Sequence, residues 1–114
     1  MDKELFTFSK NVILYHDKPL LYAAAHIDKE LVLEDSILVL LNTDSLKSDR
    51  NIFCYDFKGD LKWQIPEPDK LQANNYYTSI YLTGEGILMA YNINGVEVTI
   101  DKQTGAILDK QLIK

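Results

Sequence analysis

The chain has 114 residues, of which 46% are hydrophobic and 25% are charged, so it fits one globular domain and leaves no room for a second. Seventeen acidic residues against twelve basic ones give a formal charge of −5, and Arg50 is the only arginine. Nucleic-acid-binding proteins need a basic surface and often use arginine to read bases, so we expect no direct binding to nucleic acid.

The N-terminal segment predicts a cytoplasmic protein that begins with a hairpin. Met1–Glu4 carries two acids with no long apolar segment behind it, which does not fit a secretory signal. The longest apolar run, Ser36–Leu41, is far shorter than the roughly 20 residues of a membrane helix, so no membrane partner is expected. Phe6, Phe8 and Val12–Tyr15 predict two short strands, which assign residues 1–19 to an N-terminal hairpin.

Residues 20–65 predict a first group of four strands. Leu20–Ile27 contains three alanines, but the stretch is short, has no N-cap and leads into more strand, so a strand is favoured over a helix. The runs that follow are short, rich in β-branched and aromatic residues, and bounded by turn residues. They are Ile37–Leu41, Asn51–Asp56 and Leu61–Ile65.

Residues 76–112 predict a second group of four strands. Val96, Val98 and Ile100 alternate with polar residues, which places the apolar side chains on one face of a strand. Turn signals such as Gly84-Glu85-Gly86 and Asn94-Gly95 separate the runs. The other three strands are Tyr77–Leu82, Ile87–Asn92 and Ala106–Leu112.

The two groups form an internal repeat of about 45 residues. Asp101 follows Asp56 at an offset of 45 residues, and Gly105 follows Gly59 at an offset of 46. Each copy reads as a strand ending in Asp, a glycine turn and another strand. We interpret both aspartates as turn formers that bond the backbone ahead of the glycine, because short carboxylates commonly do so.

These residues resemble the blades of pyrroloquinoline-quinone-type β-propellers, whose third and fourth strands commonly run apolar-Asp-x-x-x-Gly-x-apolar-x-Trp. Asp56 to Trp63 and Asp101 to Leu108 follow this pattern, with Leu108 near the tryptophan position. The resemblance implies blade-like sheets and no activity. A closed propeller needs at least four blades and this chain holds two, so one chain cannot close a ring by itself, whereas four chains could assemble one.

The predicted fold is therefore all-β, a single domain in which two blade-like four-stranded antiparallel meanders pack as a compact sandwich or flattened barrel beside the hairpin. Each meander has one apolar face, and two such faces can be buried against each other.

The residues that carry chemistry do not form a recognisable active site. Cys54 is the only cysteine, which excludes zinc sites built on paired cysteines, and its apolar neighbours predict a buried side chain. His16 and His26 have no carboxylate at a ligand spacing. We therefore expect no catalytic residues, no metal and no cofactor, and the sequence favours a protein that is not an enzyme.

The surface residues predict a protein-binding site. The loop 42–50 is about six residues longer than its counterpart in the second repeat, and an acidic connection begins at Pro66. Tyr77 and Tyr81 are predicted to share one strand face, and tyrosines amid acids are typical of interfaces, although such rings also fill cores. The candidate partner-binding residues are Asp44, Asp49, Glu67, Asp69, Tyr76, Tyr77 and Tyr81.

In size, charge and blade-like pattern the chain is similar to immunity proteins of bacterial contact-dependent growth inhibition and related polymorphic toxin systems. The resemblance implies a partner that is a basic toxin domain, for example a nuclease, encoded nearby. Two alternatives stay open: an intracellular ligand-binding or enzymatic domain with a cleft between the sheets, and an oligomeric propeller-like scaffold.

Overall fold

The computed structural model describes residues 1–67 and 74–113, which form eleven β-strands and two short helices. A single 3-10 turn spans Lys3–Leu5, and the helix α1 spans Thr43–Leu46. The strands are β1 (Phe6–Ser9), β2 (Val12–Tyr15), β3 (Lys18–Tyr22), β4 (Ile27–Val32), β5 (Ser36–Leu41), β6 (Ile52–Asp56), β7 (Leu61–Gln64), β8 (Tyr77–Leu82), β9 (Leu88–Asn92), β10 (Val96–Ile100) and β11 (Ile107–Leu112).

The strands form three antiparallel sheets that follow the chain in order. The N-terminal sheet contains β1–β3, the middle sheet contains β4–β7, and the C-terminal sheet contains β8–β11. Each strand pairs with its neighbours in sequence, as expected for meanders with short turns. The all-β fold with two four-stranded meanders is thereby confirmed.

The three sheets stack with the middle sheet covered on both faces. All six residues of β5 are buried, and the five apolar ones alternate between two cores. Leu38 and Leu40 pack toward the C-terminal sheet, whereas Ile37 and Val39 pack toward the N-terminal sheet. Because burying one such aliphatic side chain contributes about 1.5–3 kcal/mol, this strand accounts for a large share of the hydrophobic stabilisation.

The N-terminal hairpin is larger than predicted, since a third strand, β3, extends this sheet to Tyr22. The predicted strand Leu20–Ile27 is therefore wrong: its first residues belong to β3, and the first strand of the middle sheet is Ile27–Val32. The intervening alanines cross between the sheets through a bend at Ala24 and Ala25, with Ala23 and Ala25 buried and Ala24 exposed. The buried–exposed alternation has the period of a strand. The backbone N–H of Ala23, however, donates to the carbonyl of Asn11, and that of Ile27 donates to the carbonyl of Lys10, so the alanines are not part of a regular pair of strands.

The two repeated aspartates form turns, as predicted. Asp56 Oδ1 accepts hydrogen bonds from the backbone N–H groups of Lys58 at 2.9 Å and Asp60 at 3.0 Å. Asp101 Oδ1 accepts from the N–H groups of Gln103 at 2.8 Å and Thr104 at 3.2 Å. The glycine in each turn has a positive φ and supports a residue of the preceding sheet: Leu20 lies over Gly59, and Trp63 lies over Gly105.

Within the described residues no helix is long and apolar enough to cross a membrane.

Candidate functional site

A cleft of about 260 Å³ opens at one end of the middle and C-terminal sheets. Its walls come from both sheets and from the loop between β5 and β6, so residues distant in sequence meet there. The lining residues are Asp28, Leu40, Leu41, Asn42, Thr43, Asp44, Asn51, Tyr76, Tyr77 and Thr78.

One wall of the cleft is the start of α1. The Asn42 side chain accepts a hydrogen bond from the Asp44 N–H at 2.8 Å and so caps the helix, as asparagine commonly does. The Asn42 N–H donates to the carbonyl of His26 at 2.8 Å, which ties this wall to the segment leading into β4. Asp28 and Asp44, on two different elements, are thereby brought to the same cleft.

The buried amide of Asn51 joins the two sheets at the base of the cleft. Its Nδ2 donates to the carbonyls of Leu41 at 3.1 Å and Tyr77 at 2.8 Å, and its Oδ1 accepts from the Tyr77 N–H at 2.9 Å. Asn51 is only 1% exposed, so these bonds are made away from solvent. Since an unpaired buried polar group costs about 1–3 kcal/mol, this contact fixes where β8 begins.

A second group of polar residues holds the segment before β8. Asn92 Nδ2 donates to Asn75 Oδ1 at 2.5 Å, and Asn94 Nδ2 donates to the carbonyl of Asn74 at 2.6 Å. Asp49 Oδ2 accepts from the Asn75 N–H at 3.1 Å, and the carbonyl of Tyr76 accepts from the Ile93 N–H at 2.9 Å. The position of Tyr76 is therefore set by contacts to both sheets.

The cleft is negatively charged. Asp28 and Asp44 are both exposed, and within the part of the chain that the structure describes neither forms an ion pair. Several basic side chains are bonded to backbone carbonyls elsewhere: Lys29 to Ile80, Arg50 to Ile65 and Lys102 to Gly86. Among residues 1–67 and 74–113 no lysine or arginine lines the cleft, so its carboxylates are available to a partner.

Three of the predicted partner-binding residues meet in this cleft: Asp44, Tyr76 and Tyr77. Tyr77 lies mostly in the core, 4% exposed, and burial raises the pKa of its hydroxyl. Asp49 lies beside the cleft and bonds to Asn75. Glu67 is exposed, and Asp69 lies outside the described residues.

Tyr81 lies elsewhere, and the predicted shared face of Tyr77 and Tyr81 is wrong. The pairing of β8 with β9 shifts register between Tyr77 and Ser79, so the alternation of side chains changes phase. Tyr77 therefore packs in the core, whereas Tyr81 lies on the outer face and donates to Glu97. This hydrogen bond to Glu97, more than burial, raises the pKa of Tyr81.

Two of the lining residues carry no signal in the sequence pattern. Asp28 belongs to a strand that the hydrophobic pattern did not reveal, because Asp28, Lys29 and Glu30 interrupt it. Asn51 was included only as the first residue of a predicted strand, and its side-chain contacts depend on the packing of the two sheets.

No other chemical centre stands out among residues 1–67 and 74–113. In those ranges no three His, Cys, Asp or Glu side chains come together as a metal site. Cys54 is buried, as predicted, and burial raises the pKa of its thiol. The cleft is therefore the candidate site.

Comparisons with known proteins give a family and no activity. The model of a family described as a domain of unknown function (DUF7957) matches residues 7–112. No curated protein matches the chain. Among solved structures, the chain is similar to the computationally designed Ika8 protein, with a TM-score of 0.40 and 11% identity over 96% of this chain and 48% of that one. The chain thus spans about half the length of that designed protein.

Proposed function

The chain belongs to the DUF7957 family, a domain of unknown function, and we propose that it is a small acidic protein-binding module whose partner is a basic protein. The proposal depends on one observation: a cleft built by two sheets is lined by Asp28 and Asp44, and the described residues that line it include no lysine or arginine. Charges left unpaired at a formed cleft are suited to a partner of opposite sign.

The overall charge supports the same class of partner. The chain carries a formal charge of −5, so a basic protein is attracted at long range and associates faster. Tyr76, half-buried at the rim of the cleft, is the type of residue that anchors interfaces, because its ring contributes contact area at low entropic cost.

We further propose that the partner is a basic toxin domain encoded by a neighbouring gene and that the module is its cytoplasmic immunity protein. A toxin that acts on nucleic acid must itself present a basic surface, which an acidic inhibitor can cover. Size and charge support this identification, together with the cleft. In this role the module binds its partner and catalyses no reaction.

The test is a binding measurement with the product of the adjacent gene, in a catalytically inactive form. We expect a complex whose affinity falls as salt rises from low to high ionic strength, because complementary charges are screened. Asp44→Lys should slow association strongly, whereas Asp109→Lys, the same change on the exposed outer strand β11, should have a small effect. An absence of binding to any adjacent gene product would overturn the toxin assignment, and salt-independent binding would overturn the charge argument.

A further inference from the structure

We infer that the cleft is a pocket for a single guanidinium side chain, so that an arginine of the partner is the group recognised there. This inference rests on the proposed function and adds the identity of the bound group. Its basis is the size of the cleft, the placement of its two carboxylates and the residues between them.

The size of the cleft limits what it can hold. Pockets for cofactors and other small-molecule ligands usually measure about 300–1,000 Å³. The observed 260 Å³ lies just below that range and opens to solvent, which suits one side chain entering from a partner.

The placement of the charges favours a planar cation. Asp28 lies on β4 and Asp44 on α1, so two acidic residues line the cleft from different elements. A guanidinium carries five N–H donors around a planar fork and can bond to acceptors on more than one side, whereas an ammonium acts as a compact point charge.

The remaining lining residues fit the same group. Tyr76 contributes an aromatic ring, on which a guanidinium can stack. Thr43 and Thr78 also line the cleft; the Thr78 hydroxyl donates to the carbonyl of Tyr91 at 3.2 Å, and both hydroxyl oxygens can accept an N–H bond. The base of the cleft is held by the Asn51 bonds to Leu41 and Tyr77, so the pocket exists before a partner arrives.

The first experiment uses Nα-acetyl-arginine amide, with Nα-acetyl-citrulline amide as a neutral isostere and Nα-acetyl-lysine amide as a second cation. In ¹H–¹⁵N spectra we expect the arginine probe to shift the amides of residues 42–44 and 76–78 saturably, with weaker shifts from lysine and none from citrulline. Equal shifts from arginine and citrulline, or tighter binding of lysine, would overturn the inference.

The second experiment uses variants. Asp44→Asn and Asp28→Asn should each weaken the arginine probe about fivefold, as expected for one exposed charge pair, while Asp109→Asn, with the same charge change, should leave its affinity unaltered. Equal affinities of Asp44→Asn and Asp109→Asn would contradict the pocket. Unchanged spectra outside the cleft confirm that each variant is folded.

The partner distinguishes the two proposals. If the basic partner binds the Asp28→Asn/Asp44→Asn double variant as tightly as the wild type, the pocket is wrong and the binding function stands. If the arginine probe binds in the cleft and no basic protein does, the pocket stands and the proposed function is wrong.

Discussion

The indole ring of Trp63 lies directly over Gly105, so that the middle sheet rests on a turn of the C-terminal sheet. A Cβ atom built at Gly105 would lie 2.5 Å from Cε3 and 2.6 Å from Cδ2 of that ring. The indole Nε1 donates to the carbonyl of Lys102 in the same turn at 2.9 Å. The contact therefore requires both the absence of a side chain at residue 105 and a positive φ, which is 79°.

Gly105→Ala should destabilise the protein by about 3 kcal/mol. A positive φ costs an L residue about 1–2 kcal/mol, and forcing a methyl group into a packed contact costs about 1–3 kcal/mol more. Urea unfolding followed by the fluorescence of Trp63, the only tryptophan, measures the change.

Two other glycines separate the cost of the positive φ from the cost of packing a methyl group against the ring. Gly86 has a φ of 80° with nothing within 4 Å of its added Cβ, so Gly86→Ala should cost only about 1 kcal/mol. Gly84 has open space and no positive φ, so Gly84→Ala should be close to neutral. If Gly105→Ala is no more destabilising than Gly86→Ala, the packing argument fails.

Asn51→Ala should destabilise the protein by about 3 kcal/mol, because it leaves the N–H and C=O groups of Tyr77 without their side-chain partner. Asn11→Ala is the matched control, since Asn11 donates one part-buried hydrogen bond to the carbonyl of Ala23. That variant should lose about 1 kcal/mol. Hydrogen exchange at the Tyr77 amide reports the contact directly and should accelerate in Asn51→Ala and not in Asn11→Ala. Equal losses in the two variants would show that the Asn51 bonds contribute little.

Local elements follow from the amino-acid sequence more closely than the relationships between elements do. The strand Tyr77–Leu82 matches its predicted limits, because its aromatic and β-branched residues lie between the turn signals Asn74-Asn75 and Gly84. The strand Ile27–Val32 was not found, since three successive charged residues mask its period. The bulge after Tyr77 is also absent from the prediction, because a shift of one residue in strand pairing does not change the amino-acid composition of the strand.

The cleft shows the same limit. The chemistry of Asp44 and Tyr76 marks them in the sequence, yet Asp28 completes the site from a strand more than 40 residues before Tyr76 along the chain. Only the stacking of the middle and C-terminal sheets brings them together. The interior between these sheets is filled by side chains such as Leu38 and Ile80, so the cleft lies at the end of the sheets and not between their faces.

Glu30 should make stability depend on pH. Its Oε2 atom is buried without a hydrogen-bond partner among the described residues, and burial raises its pKa above the ordinary value of 4.5. The protonated form is favoured in the folded state, so this contribution to stability is full below pH 4.5 and is lost as the pH rises through the folded pKa. Glu30→Gln removes the charge, so the free energy of unfolding of the wild type should fall relative to this variant as the pH increases.

Glu34 provides a control of opposite sign. The hydrogen bond from Lys3 Nζ at 2.6 Å, followed by the charge of Lys3, lowers the pKa of Glu34. Its contribution is present above the ordinary pKa and is lost as the pH falls through the folded value. Thermal unfolding between pH 3 and pH 8 should therefore show opposite trends for Glu30→Gln and Glu34→Gln, each relative to the wild type, and parallel curves would contradict the assignment for Glu30.

Inside the chain an indole of one sheet rests on a glycine turn of the next sheet. The N-terminal and C-terminal sheets do not offer this pair of features to a second chain, so the protein should be a monomer. Trp63 pairs with Cys54 in the middle sheet, and the corresponding pair in the C-terminal sheet is Asp109 with Thr99. An exposed carboxylate thus occupies the place of the indole that supports the stack, and burying it against a further sheet would be costly. At the other end, the turn between β2 and β3 consists of His16 and Asp17 and contains no glycine to receive a ring.

Sedimentation should give the monomer mass of 13.1 kDa across a wide range of concentration. A concentration-dependent rise to a multiple of that mass would instead favour a ring of several chains.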